Sequence, residues 1–152
     1  MIRRLILFLI LNFGALTISG LFTPSGIISE WYTTLNKAPW TPPGWVFGFA
    51  WTSIMICLTA YMPIALREKN KLLLRLYSLQ LFLNVIWTPV FFYFQKPVLG
   101  LIIIVLLTLL ILSIILLFRR NKNTKNFLLA PYFIWLCIAT SLNLYIVINN
   151  NF

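Results

Sequence analysis

The chain has 152 residues, 61% apolar and only 9% charged, with a mean hydropathy of +0.95. A soluble domain needs about 25% charged residues to clothe its surface. A water-soluble enzyme is therefore excluded, and one all-α helical bundle in lipid, without a separate soluble domain, is expected. The formal charge of +10 does not mark a nucleic-acid partner, because the basic residues lie between apolar runs and form no patch.

Five apolar runs follow in chain order, at 5–22, 44–66, 72–94, 98–118 and 127–148. Each has about the 17–25 residues that cross roughly 30 Å of hydrocarbon as a helix. None shows the alternation of a membrane β-barrel strand. The first run follows Arg3 and Arg4 but is too long for a signal-peptide core and lacks an A-x-A site, so it reads as a retained helix. Five spans put the N-terminus and the second and fourth loops on one side. That side collects Arg3, Arg4, Arg67, Lys69, Lys71, Arg75, Arg119, Arg120, Lys122 and Lys125, while the other has only Lys37 and Lys96. The expected topology is N-terminus inside, C-terminus outside.

The loop at 23–41 is the longest and holds Trp31, Tyr32 and Trp40 beside Pro24 and Pro39. Two readings remain open for these aromatics and for Trp45. They anchor the bilayer interface, or they form a proline-stiffened lid over the open end of the bundle. The second helix is expected to start at Thr41-Pro42-Pro43-Gly44, with Thr41 as its N-cap. Its Gly44 and Gly48 share a face with Trp51 and leave room beside the indole. On the third, Asn84, Trp87 and Phe91 share a face, and Pro89 should bend the helix. The fourth is almost wholly Leu, Ile and Val and is expected chiefly to meet lipid. On the fifth, which Pro131 bends or begins, Trp135, Ala139 and Asn143 form one face. An Ala15/Ser19 pair on the first helix permits close helix contact.

Depth favours the lid. From the 1.5 Å rise per residue, Trp51 and Trp87 both lie about 10 Å below the loop-side ends of their helices. By the same rise, Asn84 lies about 15 Å down, Asn143 about 8 Å, Ala139 about 14 Å and Trp135 about 20 Å. Asn84 and Asn143 can equally serve to bond helices together, and the two roles can coexist.

Three motifs resemble the signatures of the TspO/MBR family, the tryptophan-rich sensory protein, translocator protein or peripheral benzodiazepine receptor family. They are Trp31-Tyr32-x-x-Leu35-x-Lys37-Ala38-Pro39-Trp40-Thr41-Pro42-Pro43, Leu83-Asn84-x-x-Trp87, and Pro131-Tyr132-x-x-Trp135-x-x-x-Ala139-x-x-x-Asn143. The resemblance covers essentially the whole chain. It implies a five-helix bundle, often dimeric, in a bacterial cell membrane, with a pocket under the first loop. Tyr32, Pro42, Trp51, Asn84, Trp87, Trp135, Ala139 and Asn143 match its ligand-binding positions. The implied ligands are protoporphyrin IX, haem and synthetic isoquinoline carboxamides or benzodiazepines, with no required cofactor. The alternative implied activity is light-dependent porphyrin degradation through Trp51 and Trp135. Ala38 departs from the family pattern, in which proline often follows the lysine directly. Nothing basic follows Tyr145, and Leu58…Tyr61…Arg67 is only a weak formal sterol pattern, so cholesterol is not expected as the main ligand.

The residue inventory agrees with binding rather than conventional catalysis. There is no histidine, and the two acids, Glu30 and Glu68, fall in predicted loops. Cys57 and Cys137 sit in apolar runs without metal-ligand spacing. No acid–base pair, nucleophile–base pair or metal site is expected. No span carries a coupling acid or base for ion-driven transport.

Overall fold

In the computed structural model, residues 2–66, 70–118 and 125–152 are described, with the side chains of 24–26 excepted. Arg67, Lys69, Arg119, Arg120 and Lys122, which carried part of the charge bias, lie outside the described residues, as does Glu68. The helices are α1 (Ile2–Ile27), α2 (Glu30–Thr34), α3 (Gly44–Ala65), α4 (Lys71–Thr88), α5 (Pro97–Phe118) and α6 (Ala130–Asn149). A π-helical turn, Pro89–Tyr93, extends α4, and a 3-10 turn, Asn126–Leu129, precedes α6. Five of these segments are long and apolar enough to cross a membrane, and the chain is a multi-pass membrane protein.

Local chemistry sets the helix ends. The Asn70 side chain caps α4 by accepting from the Leu73 N–H at 3.1 Å. Pro89 has no N–H to continue the ladder, and there the helix widens, with the Phe94 N–H reaching back to the Pro89 carbonyl at 2.9 Å. Pro131 sits in the first turn of α6, where a missing donor costs least.

Three expectations are corrected. First, α1 runs on to Ile27, so Pro24 belongs to the helix and the loop begins only at residue 28. Second, Pro43, not Thr41, occupies the N-cap of α3. Pro42 and Pro43 offer a cap at Thr41 no N–H at the next two positions, leaving only Gly44 to donate. The Thr41 hydroxyl instead donates to the Ala38 carbonyl at 2.7 Å, closing a turn. Third, α5 does more than meet lipid. Gly100, Ile104, Leu107, Ile111, Ile114 and Phe118 are buried at alternating spacings of four and three, a seam packed between α4 and α6. The opposite face, including Leu99, Ile102, Leu106 and Leu109, remains exposed.

The first helix also contributes to the core. Phe8, Asn12, Ala15 and Ser19 form its buried stripe, so the Ala15/Ser19 pair is turned into the bundle. The Asn12 amide donates to Thr59 Oγ1 at 2.9 Å and its carbonyl accepts from the Tyr77 hydroxyl at 2.8 Å. One side chain thus ties α1 to α3 and α4. At the end opposite the loop, Arg4 Nη1 donates to the Leu66 carbonyl at 3.2 Å, just past the C-terminus of α3.

Replacing Asn12 tests the knot. Asn12→Leu strands the Thr59 and Tyr77 hydroxyls and should cost about 1–2 kcal/mol. The measurement is reversible unfolding in detergent followed by circular dichroism. Adding Tyr77→Phe should cost less than the sum of the single changes; full additivity would show that the pair does not interact.

Candidate ligand pocket beneath the first loop

The loop from 28 to 43 covers one end of the bundle. Ser29 accepts from the Tyr32 N–H at 3.2 Å and starts α2, which presents Trp31 and Tyr32 to the π-helical turn. Trp31 meets Phe91 edge-on at 5.8 Å, and Tyr32 lies 5.3 Å from Phe92. Lys37 Nζ stands 4.4 Å from the centre of the Tyr32 ring. Further along, the Trp40 indole N–H donates to Ser141 Oγ at 3.3 Å, and its ring meets Tyr145 edge-on at 5.3 Å. The loop therefore spans from the third span to the fifth. Trp45, 72% exposed, faces outward.

Under the loop lies a cavity of about 50 Å³. Tyr32, Lys37 and Thr41 line it from above, Phe47 from α3, and Trp87 and Phe91 from the third span. Ala139 and Asn143 line it from α6. Trp87 and Phe91 stack at 5.3 Å with their planes 18° apart. Burial pushes the Tyr32 phenol above its ordinary pKa, so it remains a neutral hydroxyl donor at physiological pH. The chemical character is thus a small aromatic box with one ammonium at its mouth. Sites that enclose organic ligands typically measure about 300–1,000 Å³, so this box is too small for such a ligand as it stands.

Of the residues expected in the pocket, Tyr32, Trp87, Ala139 and Asn143 line this cavity and the other four do not. Pro42 leads into α3, half-buried. Trp51 packs edge-on to Tyr132 at 6.1 Å, and Gly44 and Gly48 face open space. Trp135 lies one ring deeper, against Phe47 at 5.2 Å, and its buried indole N–H finds no acceptor among the described residues. Asn84 donates to the Tyr132 hydroxyl at 2.8 Å, which in turn donates to Gln80 Oε1 at 3.0 Å. Asn84 therefore bridges α4 to α6.

Asn143 also bonds helices. Its carboxamide, oriented as its neighbours require, donates to the Pro97 carbonyl at 3.0 Å and accepts from the Leu101 N–H at 3.3 Å. This brings the first turn of α5 against the pocket wall. A Cβ on Gly100 would stand 3.1 Å from Phe91 Cδ2 and 3.2 Å from the Asn143 carboxamide. Gly100 and Gln80 escaped the sequence reading. The signal for Gly100 was its position as the sole glycine in a run of Leu, Ile and Val; for Gln80 it was a long amide mid-span at helical spacing from Asn84.

The TspO/MBR family profile matches residues 6–148. Among curated proteins, the chain is 37% identical over 115 residues to the tryptophan-rich sensory protein of Cereibacter sphaeroides, covering 75% of this chain and 73% of that one. It is 36% identical over 127 residues to the tryptophan-rich protein TspO of Chlorobaculum tepidum, covering 80% of each. It is 30% identical over 120 residues to the human translocator protein, covering 75% of this chain and 71% of that one.

Gly100→Ala should push Phe91 and Asn143 apart and destabilise the bundle by about 1–3 kcal/mol. Gly14→Ala, whose Cβ would meet nothing within 4 Å, should be neutral or stabilising by up to about 1 kcal/mol. Equal unfolding midpoints for the two variants would refute the close approach at Gly100.

Proposed function

The chain belongs to the TspO/MBR family, and from that premise we propose a membrane binding protein, a transporter-like sensor, for porphyrins and related flat aromatic ligands. The observation that carries the proposal is the stacked Trp87–Phe91 pair under the loop, with Lys37 at the mouth of the same cavity. A tetrapyrrole presents a wide π-face and two carboxylates. Indole and phenyl rings can stack on or edge the first, while the ammonium pairs with the second. The buried Trp135 N–H, without an acceptor among the described residues, adds a donor one layer deeper for a polar ligand atom.

Such a ligand far exceeds about 50 Å³ of free space, so binding requires the loop aromatics to move outward. Haem iron would lack its usual axial ligand, because the chain has no histidine. Metal-free protoporphyrin IX is therefore expected to bind. In the topology proposed here, Arg3, Arg4, Lys71, Arg75 and Lys125 mark the cytoplasmic side of a bacterial cell membrane. The pocket, lined by Lys37, then faces outward. Photo-oxidation of a bound porphyrin is the second reading. It rests on Trp51 and Trp135, and neither lines the cavity, although Trp135 contacts its Phe47 wall.

The test is a protoporphyrin IX titration of the purified protein, read by quenching of tryptophan fluorescence. Trp87→Ala should weaken binding by about tenfold or more. Lys37→Gln should weaken it by about threefold and reduce its salt dependence. Wild-type affinity in both variants would remove the proposed site.

A further inference from the structure

The loop is two mechanical pieces. In its second half, the Thr41 N–H and hydroxyl both return to the Ala38 carbonyl, at 2.9 and 2.7 Å. Pro39, Pro42 and Pro43 fix their own φ angles, and Trp40 is fastened to Ser141 on α6. That half is a strut. In the first half, the hydrogen bonds of the Tyr32 N–H, Thr33 and Thr34 stay within residues 29–34. Trp31 and Tyr32 reach the π-helical turn through their rings.

The two pieces meet at Asn36, directly after Leu35 ends α2 in an extended conformation. The Asn36 N–H donates to Asn150 Oδ1 at 2.9 Å, and Asn150 Nδ2 donates to the Asn36 carbonyl at 3.1 Å. Asn150 Nδ2 also donates to the Ile146 carbonyl at 2.9 Å, which fixes the amide against the end of α6. Both polar groups of one backbone residue are thus clamped by a single side chain 114 positions away.

We infer that Asn150 is a hinge pin: it holds Asn36 while the Trp31–Tyr32 flap swings to admit a ligand, and so sets the rate of access to the cavity. A cavity of about 50 Å³ requires one piece of the loop to move, and the clamp and strut leave α2 as the moving piece. Opening would also lift Tyr32 from Lys37, releasing the ammonium to meet an anionic group. The part of this inference that concerns ligand exchange rests on the porphyrin-binding reading; the hinge itself does not. Asn150 is a positioning residue, acting through Asn36.

The experiment compares Asn150→Ala with Asn149→Ala in the full chain. Among the described residues the Asn149 side chain bonds within the last turn of α6, to the Tyr145 carbonyl, so it controls for fraying. Amide hydrogen exchange across residues 28–37 should quicken by about five- to tenfold in Asn150→Ala and stay unchanged in Asn149→Ala. Protoporphyrin IX association and dissociation, by stopped flow, should both quicken by a similar factor, with affinity changed less than about twofold. Unchanged exchange in Asn150→Ala, or equal acceleration in Asn149→Ala, overturns the hinge. Faster exchange with unaltered porphyrin rates overturns its gating role. Faster exchange in a protein that binds no protoporphyrin sustains the hinge and sinks the proposed function instead.

Discussion

Within hydrocarbon a polar group must find its partner inside the protein, and the buried face of α4 is where that constraint concentrates. Tyr77, Gln80, Asn84 and Thr88 follow one another along it at helical spacing, all buried. Tyr77 reaches Asn12 of α1, and Asn84 and Gln80 meet at the Tyr132 hydroxyl of α6. Through Asn12 the same line extends to Thr59 of α3. Four of the five spans are therefore registered against one polar edge. Apolar packing alone would not fix that register, because lipid competes with side chains for apolar contact.

The fifth connection uses the same rule at the loop end. Asn143 reaches the start of α5, where its carboxamide meets the Pro97 carbonyl and the Leu101 N–H. Gly100 allows the approach, and Phe91 fills the remaining space. Below this level the bundle is locked by amides and hydroxyls; above it, Trp31 and Tyr32 of α2 meet the π-helical turn ring on ring. Aromatic pairs contribute about 0.5–1.5 kcal/mol each beyond their buried area, and they tolerate sliding better than a directional amide bond does. A rigid base and a deformable roof follow from which residues sit at which depth.

The five spans were legible because length and hydropathy alone define them, and most ends fell within a residue or two. The exceptions are instructive. Pro24 looked like a loop residue, yet one lost backbone bond does not by itself end a helix, and α1 runs on to Ile27. Thr41 looked like a cap, yet two prolines follow it and its hydroxyl turns back to the Ala38 carbonyl instead. The buried seam of α5 left no trace, because Leu and Ile serve equally against lipid and against protein. The polar residues were the informative ones: Asn84, Asn143 and Trp135 all turned inward as their spacing implied. What spacing could not say was whether an inward amide faces a cavity or another helix.

That distinction reshapes the site. Asn84 and Asn143 are both engaged with protein groups, so a ligand that took their bonds would have to break helix contacts. Trp135 carries no such cost, since its N–H has no acceptor among the described residues to give up. Tyr32, Trp87 and Phe91 offer faces and edges rather than bonds, and their neighbours can slide without leaving a polar atom unpaired. A ligand would therefore be held chiefly by rings and oriented by few polar contacts. An aromatic box of this kind discriminates by shape and π-area more than by hydrogen-bond pattern, which suits a family of flat ligands better than one small polar substrate.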